Sequence, residues 1–375
     1  MVVEIVPIEG ISEVNNEISY LGVILERARF ADKQFLPDIN KYLDYVNDRE
    51  ITLPLQRDIA VAFSNGDPIL LEGGTSLSKT TTIKKMAAEL GWEVHYANLN
   101  ESTDVGDLMG KFVYNSKKTG TNDTDVIFAD GTVTRGLRQE EGKIKIIILD
   151  EFNAASPGTL VRLHEILDAL ERNGEVTLQE EGSQIVAVNK SKTKIIALTN
   201  PPGKGFLGKK PLDPAQLRRW IYKKLPTELP ESTFNLATDA LFRGEYESQG
   251  ATADMFIKSR REHLTVEQLK EIPGFDEIVS KYKEFHKAAK ELVKNRKIGA
   301  DQPQPFTYDD RMEPRRVRDF ILRFYQGDIN ETFQKALRYY YLNKLESDTD
   351  RKKLNEILRN VMYKATATAS ARRSL

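Results

Sequence analysis

The 375-residue sequence contains no cysteine. Disulfides and thiolate zinc sites are therefore excluded, and nothing in the chain calls for an oxidising compartment. Its four histidines (His95, His164, His263 and His286) are scattered, and His164-Glu165 lacks the second histidine of a zinc-protease motif. Metal catalysis independent of a nucleotide thus finds no support. No apolar run approaches the roughly 18 residues that span a bilayer; the best, Ile146 to Leu149, stops at Asp150. Met1-Val2-Val3-Glu4 offers neither a basic n-region nor a long apolar h-region, so a cytoplasmic protein with no membrane role is expected. Charge of one sign is missing too. Lys plus Arg number 55 against 56 Asp plus Glu, which leaves no global basic field to announce nucleic acid. There is no internal repeat and no low-complexity block. What is present is 40% hydrophobic and 30% charged residues, which excludes a wholly disordered chain. A chain of this length suits two or three domains that bury about three-quarters of the unfolded surface.

The charge is unevenly spread. Residues 1–50 hold ten acids against five bases, and residues 351–375 hold seven bases against one acid. Ile18, Leu21, Ile24 and Leu25, then Leu36, Ile39, Tyr42, Leu43 and Val46, recur at helical spacing, so residues 14–48 read as helical. From about Thr52 short apolar runs alternate with amphipathic segments, the mark of an α/β sheet with crossover helices. Ile69 to Leu71, Val94 to Leu99, Ile144 to Leu149 and Lys194 to Thr199 read as strands, the third apolar enough to be buried on both faces. Lys79 to Leu90 reads as a helix ended by Gly91, and Pro157 opens another that Ser156 caps. Glu175 to Leu178 and Gln184 to Val188 suggest a hairpin around Gly182. After Pro226 strand signals fade and helical stripes take over, as in Ile278, Val279, Tyr282, Phe285, Ala289, Leu292 and Val293; Asn295 to Asp310 reads as a loop. Trp92, Trp220 and His164 read as packing residues.

Chemistry enters at Gly73-Gly74-Thr75-Ser76-Leu77-Ser78-Lys79-Thr80, a glycine turn between a strand and a helix. In the pattern G-x-x-x-x-G-K-[ST] backbone amides wrap phosphates, the lysine reaches the outer ones and the hydroxyl holds Mg²⁺. Gly73, Lys79 and Thr80 match, while Ser78 stands where a second glycine is expected. The helix start adds the positive end of its dipole. About 70 residues on, Ile146 to Leu149 end in Asp150-Glu151. The first acid suits the Mg²⁺ shell and the second the attacking water, and adjacent side chains at a strand tip point different ways. Asn200 ends a further strand, where an amide can position water. The pairs Arg218-Arg219 and Arg315-Arg316 follow, and arginine can neutralise charge that builds in phosphoryl transfer.

The order Lys79-Thr80, Asp150-Glu151, Asn200, Arg219, Arg315 resembles that of the AAA+ ATPases: Walker A, Walker B, sensor 1, arginine finger and sensor 2. Glu72 to Thr80, Asn98 to Asp104 with Asp107-Leu108, Ala129 to Val133, Leu149 to Asn153 and Pro214 to Trp220 resemble the MoxR and dynein-related (midasin-like) branch. The resemblance implies an α/β P-loop NTPase core with a mainly parallel five-stranded sheet over 51–228, then an α-helical lid with sensor 2 over 229–345. Flanking these are an N-terminal helical segment, 1–50, and a basic C-terminal tail, 346–375. It also implies a ring, usually of six subunits, with ATP and Mg²⁺ at the interfaces and Arg219 acting in trans, Arg218 being its adjacent competitor. Arg315 is the better sensor 2 match and Arg316 the reserve. MoxR-type proteins often remodel a protein client, frequently beside a partner with a von Willebrand factor A-type domain. The hairpin at 175–189 and the loop at 111–135 are the expected client contacts. A nucleotide-gated scaffold with little turnover, which Ser78 favours, is one alternative. Another is a motor subunit of a restriction or viral machine, for which Lys117-Lys118 and Lys209-Lys210 are the internal candidates.

Overall fold

The computed structural model describes residues 5–7, 16–42, 45–115, 125–201, 212, 214–244, 265–300 and 307–363. Lys117-Lys118, Lys209-Lys210, His263, residues 301–306 of the expected loop and residues 364–375 of the basic tail lie outside the described residues. Two compact units form: residues 1–42 with 51–227, and residues 43–50 with 228–375.

The first unit is built on five strands: β1 (Ile69–Glu72), β2 (Glu93–Asn98), β3 (Lys145–Asp150), β4 (Thr193–Thr199) and β5 (Ile221–Lys224). They lie in the order β5-β1-β4-β3-β2, and every pairing is parallel. This is the α/β P-loop topology expected from the sequence. All seven residues of β4 and the first five of β3 are buried, as central parallel strands covered on both faces must be. Helices Thr132–Leu137 and Pro157–Glu171 set Val133, Leu137, Leu163, Ile166 and Leu167 against Ile147, Leu149 and Ile195. Gly136 lets the first of these approach closely, since a Cβ there would sit 2.3 Å from Ile147. Register brings the strand tips level: Thr199 lies beside Glu72, and Asn98 beside Asp150.

The N-terminal helical expectation is wrong for the described residues. Glu17–Tyr20 pairs antiparallel with Val23–Glu26, and Ile5–Pro7 with Phe30–Asp32; only Ile39–Tyr42 is helical, as a 3₁₀ turn. The reason lies at Leu21-Gly22, both at positive φ (49° and 81°), which is hairpin-turn geometry that no helix contains. The β-branched residues Ile18, Val23 and Ile24 then fit a pleated surface better than a helix. Residues 111–135 are likewise not a loop throughout. Gly110–Tyr114 and Val126–Asp130 form an antiparallel ribbon. The expected hairpin is present, with Glu175–Leu178 paired to Gln184–Ala187.

Among the described residues the second unit is helical, with Glu231–Arg243, Phe275–Lys294, Met312–Phe324, Ile329–Tyr340 and Asp348–Tyr363 as its longer elements. Its core includes Phe242, Tyr282, Phe285, Phe333 and Tyr341. The first half of the expected tail belongs to this core, for Leu354, Leu358, Val361 and Met362 are buried. No described helix is long and apolar enough to cross a membrane.

Candidate functional site

The glycine turn leaves β1 at Glu72 and is tied to its neighbours by backbone bonds, Gly73 N–H to Thr199 O at 3.1 Å and Gly74 N–H to Pro226 O at 3.0 Å. A Cβ on Gly74 would meet Thr227 O at 1.8 Å, so only glycine fits. Leu77 is buried and pins the middle of the turn, whereas Thr75 is exposed. Ser76 and Ser78 both take left-handed backbone (φ 66° and 59°), so Ser78 adopts the conformation for which a glycine would ordinarily be chosen. Ser78 makes no side-chain cap to the helix Lys79–Leu90 that follows. The N–H groups of the first turn and the helix dipole therefore favour an anion there.

Lys79 curls into this turn. Its Nζ donates to Gly73 O at 2.6 Å, Gly74 O at 2.8 Å and Asn200 Oδ1 at 3.3 Å. Burial lowers its pKa to about 8, against the opposing pull of Asp150 and Glu151. Thr80 Oγ1 donates to Asp150 Oδ2 at 3.2 Å. Glu151 sits at φ 57°, a left-handed conformation at a strand tip that places strain at the centre of the cluster. Asn200 Nδ2 donates to Glu151 Oε1 and Oε2 at 3.3 and 3.4 Å, and Asn153 Nδ2 holds the Asn200 carbonyl at 3.0 Å. Thus Lys79, Thr80, Asp150, Glu151 and Asn200, spread over 122 positions of sequence, are brought into one hydrogen-bonded group.

Residues 68–220 match the family described as "AAA domain (dynein-related subfamily)". This segment is an AAA domain. Over 227 residues the chain is 30% identical to a midasin of Giardia intestinalis, covering 59% of this chain and 4% of that one. It is 26% identical over 191 residues to the aerobic cobaltochelatase subunit CobS of Sinorhizobium sp, covering 50% of this chain and 52% of CobS. Protein NorQ of Paracoccus denitrificans is 30% identical over 148 residues, covering 37% of this chain and 51% of NorQ. The matches thus span about half the length of the two bacterial relatives and a small fraction of the midasin.

Sequence reasoning overlooked one member of the AAA domain's polar cluster. Tyr96 on β2 donates its hydroxyl to Asp150 Oδ2 at 2.9 Å, and Lys84 Nζ lies 4.4 Å from its ring centroid. Burial first, then Asp150, raises the Tyr96 pKa, which keeps the phenol protonated and donating. The available signal was alternation: Tyr96 is exposed between the buried His95 and Ala97 on a strand that ends beside Asp150. Hard oxygen donors at 3.2 Å, Thr80 Oγ1 and Asp150 Oδ2, match the roughly 3 Å between neighbouring oxygens around an octahedral Mg²⁺ with bonds of about 2.1 Å. The residues therefore fit the ion. Among the described residues no group of three or more His, Cys, Asp and Glu is placed to hold a metal, so phosphate and water oxygens would complete its shell.

Arg219 is bidentate to Asp168, Nε to Oδ1 at 2.7 Å and Nη2 to Oδ2 at 3.1 Å, while Arg218 is exposed. Arg315 is exposed on Met312–Phe324 in the second unit, and Arg316 Nη1 donates to the buried Glu313 at 3.4 Å. Trp220 and Trp92 are buried, as expected.

Proposed function

We propose that this chain binds and hydrolyses ATP as a MoxR-type AAA+ protein, and that it works as a ring of six subunits that remodels a protein client. The observation that carries this reading is the convergence of Lys79 and Thr80 with Asp150, Glu151 and Asn200. The turn from Gly73 to Ser78 wraps the phosphates, and Lys79 turns from the Gly73 and Gly74 carbonyls to the outer ones. Thr80 and Asp150 would hold Mg²⁺, which would supply positive charge to offset that of the phosphates. Glu151, oriented by Asn200, aligns water for attack on the γ-phosphorus and takes its proton. The water oxygen bonds to phosphorus as the bridging P–O bond breaks, and its electron pair leaves with ADP. Arg219 of the next subunit neutralises the equatorial oxygens, and Arg315 of the lid senses the nucleotide.

Client binding is supported by apolar side chains on both insertions. Phe112, Tyr114, Val126 and Ile127 are exposed on one ribbon and Ile185 on the other. Arg138 ties the two together through Asp130 at 2.6 and 2.7 Å and Glu181 at 2.6 Å. A partner protein, with a von Willebrand factor A-type domain, accords with CobS being named as one subunit of a larger enzyme. A cytoplasmic setting completes the proposal.

Phosphate release across a protein concentration series, with native mass spectrometry of the same samples, tests it. The rate per chain should rise as rings assemble. Tight ATP binding with assembled rings and no phosphate release would instead identify a nucleotide-gated scaffold.

A further inference from the structure

Arg219 is bound at two points to the segment that follows Glu151. The first is ionic: Asp168, on helix Pro157–Glu171, takes its guanidinium edge-on through Nε and Nη2. The second is aromatic: Trp220, the next residue, meets Phe152 edge to face at 5.2 Å and 74°. Phe152 directly follows Glu151, and the helix that carries Asp168 starts six positions after Glu151, with Ser156 as cap and Pro157 in its first turn. Trp220 and Phe152 are buried, and in the ion pair the Arg219 side chain is 17% exposed and that of Asp168 43%.

We propose that Asp168 is a positioning residue for Arg219, so that the arginine a subunit presents to its neighbour is oriented by the helix following its own Asp150-Glu151 pair. This rests on Arg219 acting in trans as proposed above. A lone arginine samples many rotamers, and a bidentate carboxylate fixes the plane of the fork. The Arg219 partnership holds the Asp168 carboxyl below its usual range, so the pair stays ionised at neutral pH. The Phe152–Trp220 contact supplies the other end of the coupling. A shift of Glu151 moves Phe152 against Trp220 and re-aims the residue beside it. Each active site is thereby linked to the next by contacts within one chain, and the state of one nucleotide reaches the neighbouring one through Arg219.

Asp168→Ala and Asp168→Glu are the test. Asp168→Ala should lower ATP turnover about tenfold or more, as misplacement of a transition-state group does, and leave ATP affinity by calorimetry within about twofold. Asp168→Glu, which can still reach the guanidinium, should restore most of the rate. A structural defect is separated by mixing subunits. Asp168→Ala chains keep an intact Glu151 and Glu151→Gln chains keep an intact arginine, so mixed rings should regain turnover. Arg219→Ala mixed with Glu151→Gln is the control. If that control recovers while Asp168→Ala has wild-type turnover, or loses it without recovering in the mixture, the positioning role is overturned and the trans arginine stands. If the control fails as well, the trans arginine falls and the positioning role with it. A rise in turnover for Asp168→Ala would show that Asp168 withholds the arginine, which also overturns the proposal.

Discussion

The two ends of the central sheet both carry charge out of bulk water, yet they hold it differently. At the N-terminal ends of β2, β3 and β4 the side chains of Glu93, Lys143, Lys145 and Lys194 are buried. Glu93 accepts the Asp32 N–H at 2.7 Å. Lys143 and Lys145 both meet Glu140 at 2.6 Å, and Lys145 also meets the carbonyls of Arg135 and Arg138. Lys194 donates to the Phe63 and Lys190 carbonyls at 2.7 and 2.8 Å. At the C-terminal ends Lys79, Thr80, Asp150, Glu151 and Asn200 are half-buried, their side-chain contacts with one another stretch to 3.2–3.4 Å, and Ser76, Ser78 and Glu151 sit in left-handed backbone. Burial lowers Lys79 and Lys194 alike to about 8. A shifted lysine therefore does not separate a site from a scaffold. Access, long mutual contacts and backbone strain do, because they leave polar capacity that a ligand can take up.

The sharpest break in that comparison comes at Glu151. Glu151→Gln keeps the shape at the strand tip and removes the charge proposed above to polarise water. Turnover should fall at least about a hundredfold, the usual loss when a group acting on the transition state is removed, with ATP still bound. Phosphate release beside calorimetry reads both, and normal release would show that another residue handles the water.

Lys145→Met breaks the opposite end. It removes hydrogen bonds to two carbonyls and to Glu140 from a buried position, and should cost about 3 kcal/mol of stability, as deletion of one partner from a buried charged group does. Denaturant unfolding measures it. ATP affinity should stay unchanged, since Lys145 stands at the far end of β3 from Asp150; a large loss of affinity would blur the distinction between the ends.

The two ends were unequally legible in the sequence. The glycine turn, the helix from Lys79 and the Asp150-Glu151 tip could be read because apolar strands stop abruptly at polar residues with a specific spacing. β5 could not: Ile221, Tyr222 and Lys224 are exposed on an edge strand, so no apolar run marks it. The N-terminal hairpin was misread because Ile18, Leu21, Ile24 and Leu25 fit a period near 3.6 as well as they fit two short strands; the turn at Leu21-Gly22 decided between them. Tyr96 and Asp168 escaped for another reason. Their partners lie 54 and 51 positions away, and only the sheet order and the packing of Pro157–Glu171 bring them together.

A smaller effect sharpens the point about the two lysines. Lys79 with a pKa of about 8 loses its ammonium between pH 7 and 9 in the ATP-free protein, so ATP affinity should fall about tenfold over that interval. The sign reverses for stability. An unfolded lysine titrates near 10.5, so between about pH 8 and 10.5 the unfolded chain binds more protons and stability rises with pH. Lys194 shares that rise and has no part in the affinity, so Lys194→Met should flatten the stability profile and leave the binding profile as it is. Calorimetric titrations in Mg²⁺ buffers would reveal a flat affinity if Lys79 stayed charged throughout.

The least change is expected at Ser78. Its left-handed backbone at φ 59° costs a side-chain-bearing residue about 1 kcal/mol, part of which glycine returns as unfolded-chain entropy. Ser78→Gly should therefore raise stability by about 0.5 kcal/mol and alter turnover less than about threefold, because the turn already has the shape that glycine would give it. Lower stability in denaturant would mean that the serine hydroxyl contributes more than its backbone costs. The departure from the glycine pattern would then be an asset of this turn, and the strain at the C-terminal end of the sheet would reside in Ser76 and Glu151 alone.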